Sequence, residues 1–212
     1  MMMLQKLNKA VAVFFTAAFF LVIFSYPPAK AEELYAAPEK AIDFILPAAD
    51  GTSVRLHDLL EKGPVVLSFY RGGWCPVCNE QLQSFQEILP NIQDAGAALV
   101  AVSPEMPEHA ADTALGNELD FYVLSDKNNT VARGYGLIWE VPEDAREGFS
   151  NWLKETTGRS LADYNAAEGY ELPVPATFVI APDGAIVYSF IDPDYRKRAD
   201  NADILDALGR LH

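Results

Sequence analysis

Branched and aromatic residues fill positions 65–70 (Val-Val-Leu-Ser-Phe-Tyr), and Gly63-Pro64 and Gly72-Gly73 punctuate the two ends. This pattern predicts a strand buried on both faces. Beyond Trp74 the period changes: Leu82, Phe85, Ile88, Leu89 and Ile92 recur at helical spacing, which predicts an amphipathic helix running to about Ala95 with Pro76 in its first turn. Positions 97–102 predict another buried strand, 107–119 a crossover helix and 121–124 a short strand. Upstream, Ile42, Phe44 and Leu46 alternate as a short strand would. Val54 and Leu56 lead through a second one into a helix near 57–62, which Gly63-Pro64 stops.

Further along, 129–135 predicts a short helix ended by Gly136. Positions 142–157 predict a longer one with Phe149, Trp152 and Leu153 as its buried stripe, within what reads as an insertion over 137–172. The aromatics of that insertion, Trp139, Trp152, Tyr164 and Tyr170, fit core packing better than a substrate groove. Positions 176–180 and 185–191 predict two strands joined as a hairpin by Pro182-Asp183-Gly184, and 204–211 a closing helix. Strands and helices alternate, so the expected architecture is α/β: a central mixed sheet with helices on both faces.

The first 31 residues read as a targeting segment. Lys6 and Lys9 precede a run over 10–24 that is apolar apart from Thr16, and Ala29-Lys30-Ala31 offers small residues for cleavage after Ala31. That run falls short of the roughly 20 residues of a comfortable membrane span; the alternative is an uncleaved anchor. Both readings make the domain an exported one, with 32–40 a flexible lead and 41–212 a single domain. Loss of 1–31 removes three positive charges and no negative ones, which takes the formal charge from −14 to −17. An acidic surface of this kind disfavours nucleic acid and anionic headgroups as partners.

The chain has two cysteines, two residues apart, so a disulfide framework for holding loops is excluded. A bridge between Cys75 and Cys78 closes too short a loop to stabilise much of the fold. Chemistry is the better reason for the pair. Cys75 stands where the strand feeds the helix, at a positive dipole end that lowers a thiol pKa, and Cys78 lies one turn inside, facing back. Cys75 is therefore the expected nucleophile and Cys78 the resolving thiol. Arg71 is a candidate source of positive charge beside them, the alternative being a solvated arginine at a turn. A zinc site needs two more ligands, and His57, His109 and His212 are scattered, so no metal is expected.

The run Phe69-Tyr70-Arg71-Gly72-Gly73-Trp74-Cys75-Pro76-Val77-Cys78 resembles the peroxiredoxin-like branch of the alkyl hydroperoxide reductase/thiol-specific antioxidant family. Asp43-Phe44, 172–180 (Leu-Pro-Val-Pro-Ala-Thr-Phe-Val-Ile), Pro182-Asp183-Gly184 and Asp192-Pro193-Asp194-Tyr195 share the likeness, which covers about 40–211. The resemblance implies a thioredoxin-like three-layer α/β/α fold with N-terminal extension strands. It also implies a reactive thiol that reduces hydroperoxides without an organic cofactor and is re-reduced by thioredoxin or a similar dithiol donor. In thioredoxin-fold enzymes a cis proline before the late strand lies against the sulfurs, and the residue before it pairs with the substrate chain. Pro175 and Val174 hold those places, and Trp74 and Arg71 complete the implied substrate-contacting set.

The sequence also departs from the family. Typical peroxiredoxins carry threonine or serine three residues before the reactive cysteine and proline seven before it, where this chain has Gly72 and Ser68. Their late-strand arginine is replaced by the Pro175-Ala176 step. Trp74-Cys75-Pro76-Val77-Cys78 with Pro175 looks more like the thioredoxin-branch reductases, so a thiol-disulfide oxidoreductase acting on protein disulfides is the alternative activity.

Overall fold

The computed structural model describes residues 35–165 and 169–211; the expected leader and His212 lie outside them. In chain order the elements are β1 (Ile45–Pro47), β2 (Ser53–Arg55), α1 (Leu56–Leu60), β3 (Val65–Phe69), α2 (Pro76–Asp94), β4 (Ala98–Ser103), α3 (Pro107–Gly116) and β5 (Tyr122–Ser125). A 3-10 turn at Lys127–Asn129 follows, then α4 (Thr130–Gly134), β6 (Ile138–Glu140), α5 (Glu143–Thr157), α6 (Leu161–Asn165), β7 (Glu171–Pro173), β8 (Ala176–Ile180), β9 (Ile186–Ile191) and α7 (Asn201–Gly209).

The central sheet has the order β5-β4-β3-β8-β9. β3 runs parallel to β4, and β4 to β5, whereas β8 is antiparallel to both β3 and β9. Because side chains alternate across a strand, β3 sends Val65, Leu67 and Phe69 into one core with Val100, Val102, Phe178 and Ile180. Val66 goes to the opposite core with Phe85, Ile92, Leu99 and Ile204. The first core is covered by β1, β2, α1 and α4, the second by α2 and α7. This is the expected thioredoxin-like α/β/α arrangement, and the predicted hairpin of β8 and β9 is present.

Helix α2 continues through Pro90, which removes one intrahelical donor and costs about 3 kcal/mol in a helix interior. Fully buried Ile92, beyond the proline, anchors the last turn in the core. The predicted buried stripe of α5 is corrected. Leu153 is buried, but Phe149 is half-buried and Trp152 is 41% exposed, because these two rings stack on each other at 6.1 Å and meet the Trp74 ring at steep angles on the flank of the site. The segment around them also holds a two-stranded ribbon, β6 with β7, in which Trp139 pairs with Leu172.

Candidate active site

Two adjoining strands of the sheet end at the cysteines. Phe69 at the end of β3 lies opposite Ala176 at the start of β8, so Arg71–Cys75 and Pro175 share one end of the sheet. Cys75 is the N-cap of α2, with extended backbone angles and Pro76 as the first helical residue. The Cys78 and Asn79 N–H groups close the first turn on its carbonyl at 3.0 and 3.1 Å. One turn on, the Cys78 thiol reaches back and donates to Cys75 Sγ at 2.7 Å. Both residues are buried, Cys75 at 3% exposure and Cys78 at 0%.

The two thiols differ in acidity for geometric reasons. The hydrogen bond from the Cys78 thiol, helped by a backbone N–H and by the Arg71 and Arg198 charges, brings Cys75 down to about 7 despite its burial. Burial in turn pushes Cys78 well above the ordinary thiol range, and a Cys75 thiolate beside it adds to that. The pair therefore loses its first proton near neutrality, and the charge belongs to Cys75. Neutral iodoacetamide should label Cys75 before Cys78, at a rate falling about tenfold per pH unit below pH 7. In Cys78→Ala, which removes the largest cause of the shift, the midpoint should move up toward that of an ordinary cysteine. An unmoved midpoint, measured as labelling rate against pH, would contradict this assignment.

Arg71 is not the solvated arginine of a turn. It is 7% exposed, its guanidinium lies 4.8 Å from the Trp139 ring centroid and 4.3 Å from that of Tyr195, and its buried Nε has no hydrogen-bond partner. Desolvation lowers its pKa, against the pull of the two cysteines. Trp74 is also buried, edge-on to Phe149 at 5.6 Å and Trp152 at 6.2 Å. It packs with Cys75, Cys78, Val141, Leu153 and Leu172, so the 137–172 segment forms a wall of the cysteine site.

The expectation of a cis Pro175 is corrected. Among the described residues all peptide bonds are trans, the Val174–Pro175 bond included. β7 runs on into β8 without a turn or bend, so the chain needs no reversal, and trans is favoured by about 0.5–1 kcal/mol before proline. The Val174 N–H is also already engaged, donating to the Leu137 carbonyl at 2.6 Å. Both residues are buried. His57 and His109 are occupied elsewhere, with Glu61 at 3.6 Å and Asp112 at 3.5 Å.

Sequence reasoning missed two site residues. Glu105, in the loop after β4, is fully buried, and its carboxylate accepts from Gly73 N–H at 2.9 Å, Ser103 Oγ at 3.1 Å, Tyr70 Oη at 3.2 Å and Thr113 Oγ1 at 3.2 Å. It fixes the loop that presents Cys75, and burial raises its pKa against the pull of these donors. Arg198, 120 residues beyond Cys78, brings Nη2 to 3.6 Å from Cys78 Sγ. No signal marked either: Glu105 is an isolated acid after a strand, and Arg198 sits in a charged run that reads as surface. A surface hollow of about 910 Å³ between α2, α3 and β5 is lined by residues such as Gln86, Leu115 and Tyr122 and includes neither cysteine.

Comparison with known proteins places this geometry. The model of the AhpC/TSA family matches residues 37–189. "Putative peroxiredoxin MT1643" of Mycobacterium tuberculosis is 35% identical over 95 residues, 45% of this chain. Thiol-disulfide oxidoreductase ResA of Halalkalibacterium halodurans is 30% identical over 102 residues, 48% of this chain. The chain covers 62% and 57% of the lengths of these two relatives. Among solved structures, peroxidoxin BcpB of Mycobacterium tuberculosis superposes with a TM-score of 0.62 at 24% identity, over 83% of this chain and 97% of its own. The family match spans most of the described fold, and that fold sets Cys75 at the head of α2; this chain belongs to the AhpC/TSA family.

Proposed function

We propose that the protein is a thiol peroxidase that reduces hydroperoxides through a Cys75/Cys78 dithiol–disulfide cycle and is re-reduced by thioredoxin or a similar dithiol donor. The observation that carries this reading is the 2.7 Å approach of the two sulfurs at the N-terminus of α2. The Cys75 thiolate attacks the terminal oxygen of R–O–OH and becomes a sulfenic acid, and the leaving alkoxide takes a proton to give R–OH. The Cys78 thiol then condenses with the sulfenic acid, releasing water and forming the disulfide, which the donor dithiol reduces. Gly72 offers no hydroxyl, Pro76 has no N–H, and the Cys75, Cys78 and Asn79 N–H groups are spent on the Gly72 and Cys75 carbonyls, so charge on the leaving oxygen is met by the Val77 N–H and by the Arg71 guanidinium. The basic start, apolar run and Ala29-Lys30-Ala31 of the leader support work in an exported compartment.

The 30% identity to ResA over 102 residues supports a second reading, reduction of protein disulfides. Peroxide consumption with a dithiol donor, run beside reduction of a model protein disulfide, separates the two. After peroxide addition, Cys78→Ser should accumulate a sulfenic acid that a dimedone-type reagent traps; a disulfide reductase would instead hold a mixed disulfide with its partner. Oxidation of Cys75 no faster than that of a small thiol, together with rapid disulfide reduction, would decide for the second reading.

A further inference from the structure

Two guanidiniums converge on the sulfurs, and among the described residues neither has a carboxylate within ion-pair distance. Burying a cation without a counter-ion is costly, and such sites are usually paired. Arg71 is nine-tenths buried between the Trp139 and Tyr195 rings, with no hydrogen-bond partner at its buried Nε. Arg198 spends Nη1 on the Tyr195 and Lys197 carbonyls, holds Nη2 toward Cys78 and also leaves a buried Nε unpartnered. The acids nearest to Arg198 in sequence are taken: Asp200 caps α7 by accepting from Ala202 N–H at 2.9 Å, Asp194 pairs with Arg196 at 2.8 Å and Asp192 with Lys197 at 2.9 Å. The Cys75 thiolate brings one negative charge to two positive ones, so one cation stays uncompensated in the reactive state. The ring of Tyr195 over Arg71 is 39% exposed, which gives the seat an apolar, solvent-reaching lip.

We propose that Arg71 and Arg198 form a carboxylate seat beside the Cys75/Cys78 pair, making the substrate an organic hydroperoxide that carries a carboxylate. This assignment of substrate class rests on the peroxidase reading, but the seat itself does not. The carboxylate accepts hydrogen bonds from the free guanidinium N–H groups, the hydrocarbon lies against Tyr195 and Trp139, and the peroxide is directed at Cys75. The redox step is the one given above: two electrons pass from the thiols to the O–O bond, and the carboxylate is unchanged.

The test pairs a fatty-acid hydroperoxide with its methyl ester, and the corresponding hydroxy acid with its ester. Turnover per unit concentration should favour the acid hydroperoxide over its ester by about tenfold or more, the effect of one or two charge-assisted hydrogen bonds. In Arg198→Gln, and in Arg71→Gln if that variant folds by circular dichroism, the ratio should fall toward one. Because the ratio is taken within each variant, a change in thiol acidity or overall rate does not move it. Independently of turnover, the hydroxy acid but not its ester should protect Cys75 from iodoacetamide. Protection without peroxide turnover would keep the seat and overturn the peroxidase reading. Turnover with equal rates for acid and ester, and no protection, would overturn the seat; altered Cys75 acidity in the variants with an unchanged ratio would leave the arginines as thiolate stabilisers only.

Discussion

Replacing Cys75 by serine should lower peroxide turnover by about a thousandfold or more while leaving the fold intact. The thiol sits where the Cys78 hydrogen bond, the head of α2 and two guanidiniums together favour an anion near pH 7. A serine hydroxyl in the same place stays protonated at that pH and is a poor nucleophile toward an O–O bond. The substitution is nearly isosteric in a site already buried at 3% exposure, so unfolding by denaturant should shift little. Peroxide consumption by purified wild type and variant with the same dithiol donor checks it. Residual turnover within tenfold of wild type would mean that Cys75 is not the attacking thiol.

The second large effect concerns stability. Gly72→Thr restores the hydroxyl residue that typical peroxiredoxins have three places before the reactive cysteine, yet it should damage this protein. A Cβ on Gly72 would lie 2.5 Å from Trp74 Nε1, and the backbone there has φ +143°, which side-chain-bearing residues rarely adopt. Moving Trp74 would relieve the contact but not the backbone strain, and Trp74 is itself wedged against Phe149 and Trp152. The expected loss is about 2–4 kcal/mol in denaturant unfolding, with no gain in Cys75 reactivity. Gly148→Ala serves as the contrast. It lies inside α5 with open space around its Cβ and an ordinary helical backbone, so it should stabilise by roughly 1 kcal/mol. If Gly72→Thr proved neutral and faster with peroxide, Trp74 would not be what excludes a side chain there.

The same clash explains a departure that the sequence showed without its reason. Gly72 reads as a missing hydroxyl; in the structure it is the room that the Trp74 ring needs. Ser68, where the sequence departs from the typical peroxiredoxin pattern, sits within the central strand β3 and bridges to Thr177 Oγ1 at 3.1 Å and the Ala176 carbonyl at 3.2 Å. Both differences follow from a site built around Trp74 and the β3–β8 ladder.

The long-period features were readable: β3, α2, β4, the β8–β9 hairpin and the order of layers all follow from uninterrupted apolar runs or helical stripes. The three-residue strands β6 and β7 and the five-residue α6 were not, since so short a segment carries no period and is set by what it packs on. Residues 126–130 show another limit. Positive φ at Asn128 and Asn129 delays α4 to Thr130, and the Asp126 carboxylate then accepts from the N–H groups of Val131 and Ala132. The cysteines, Trp74 and Arg71 were found because they cluster in sequence. Glu105 and Arg198 reach the same place from other loops, and only the folded chain brings them there.

The chain has three tryptophans, Trp74, Trp139 and Trp152; the first two pack in the cluster that holds the thiols, and the third contacts Trp74. Trp74 is adjacent to Cys75, Trp152 stands edge-on to Trp74, and Trp139 lies under the Arg71 guanidinium. The protein's intrinsic fluorescence therefore originates at its reactive centre. Thiolate and disulfide quench an indole to different degrees, so each half of a catalytic cycle should register as a change in emission in stopped flow, without an added dye or an engineered probe.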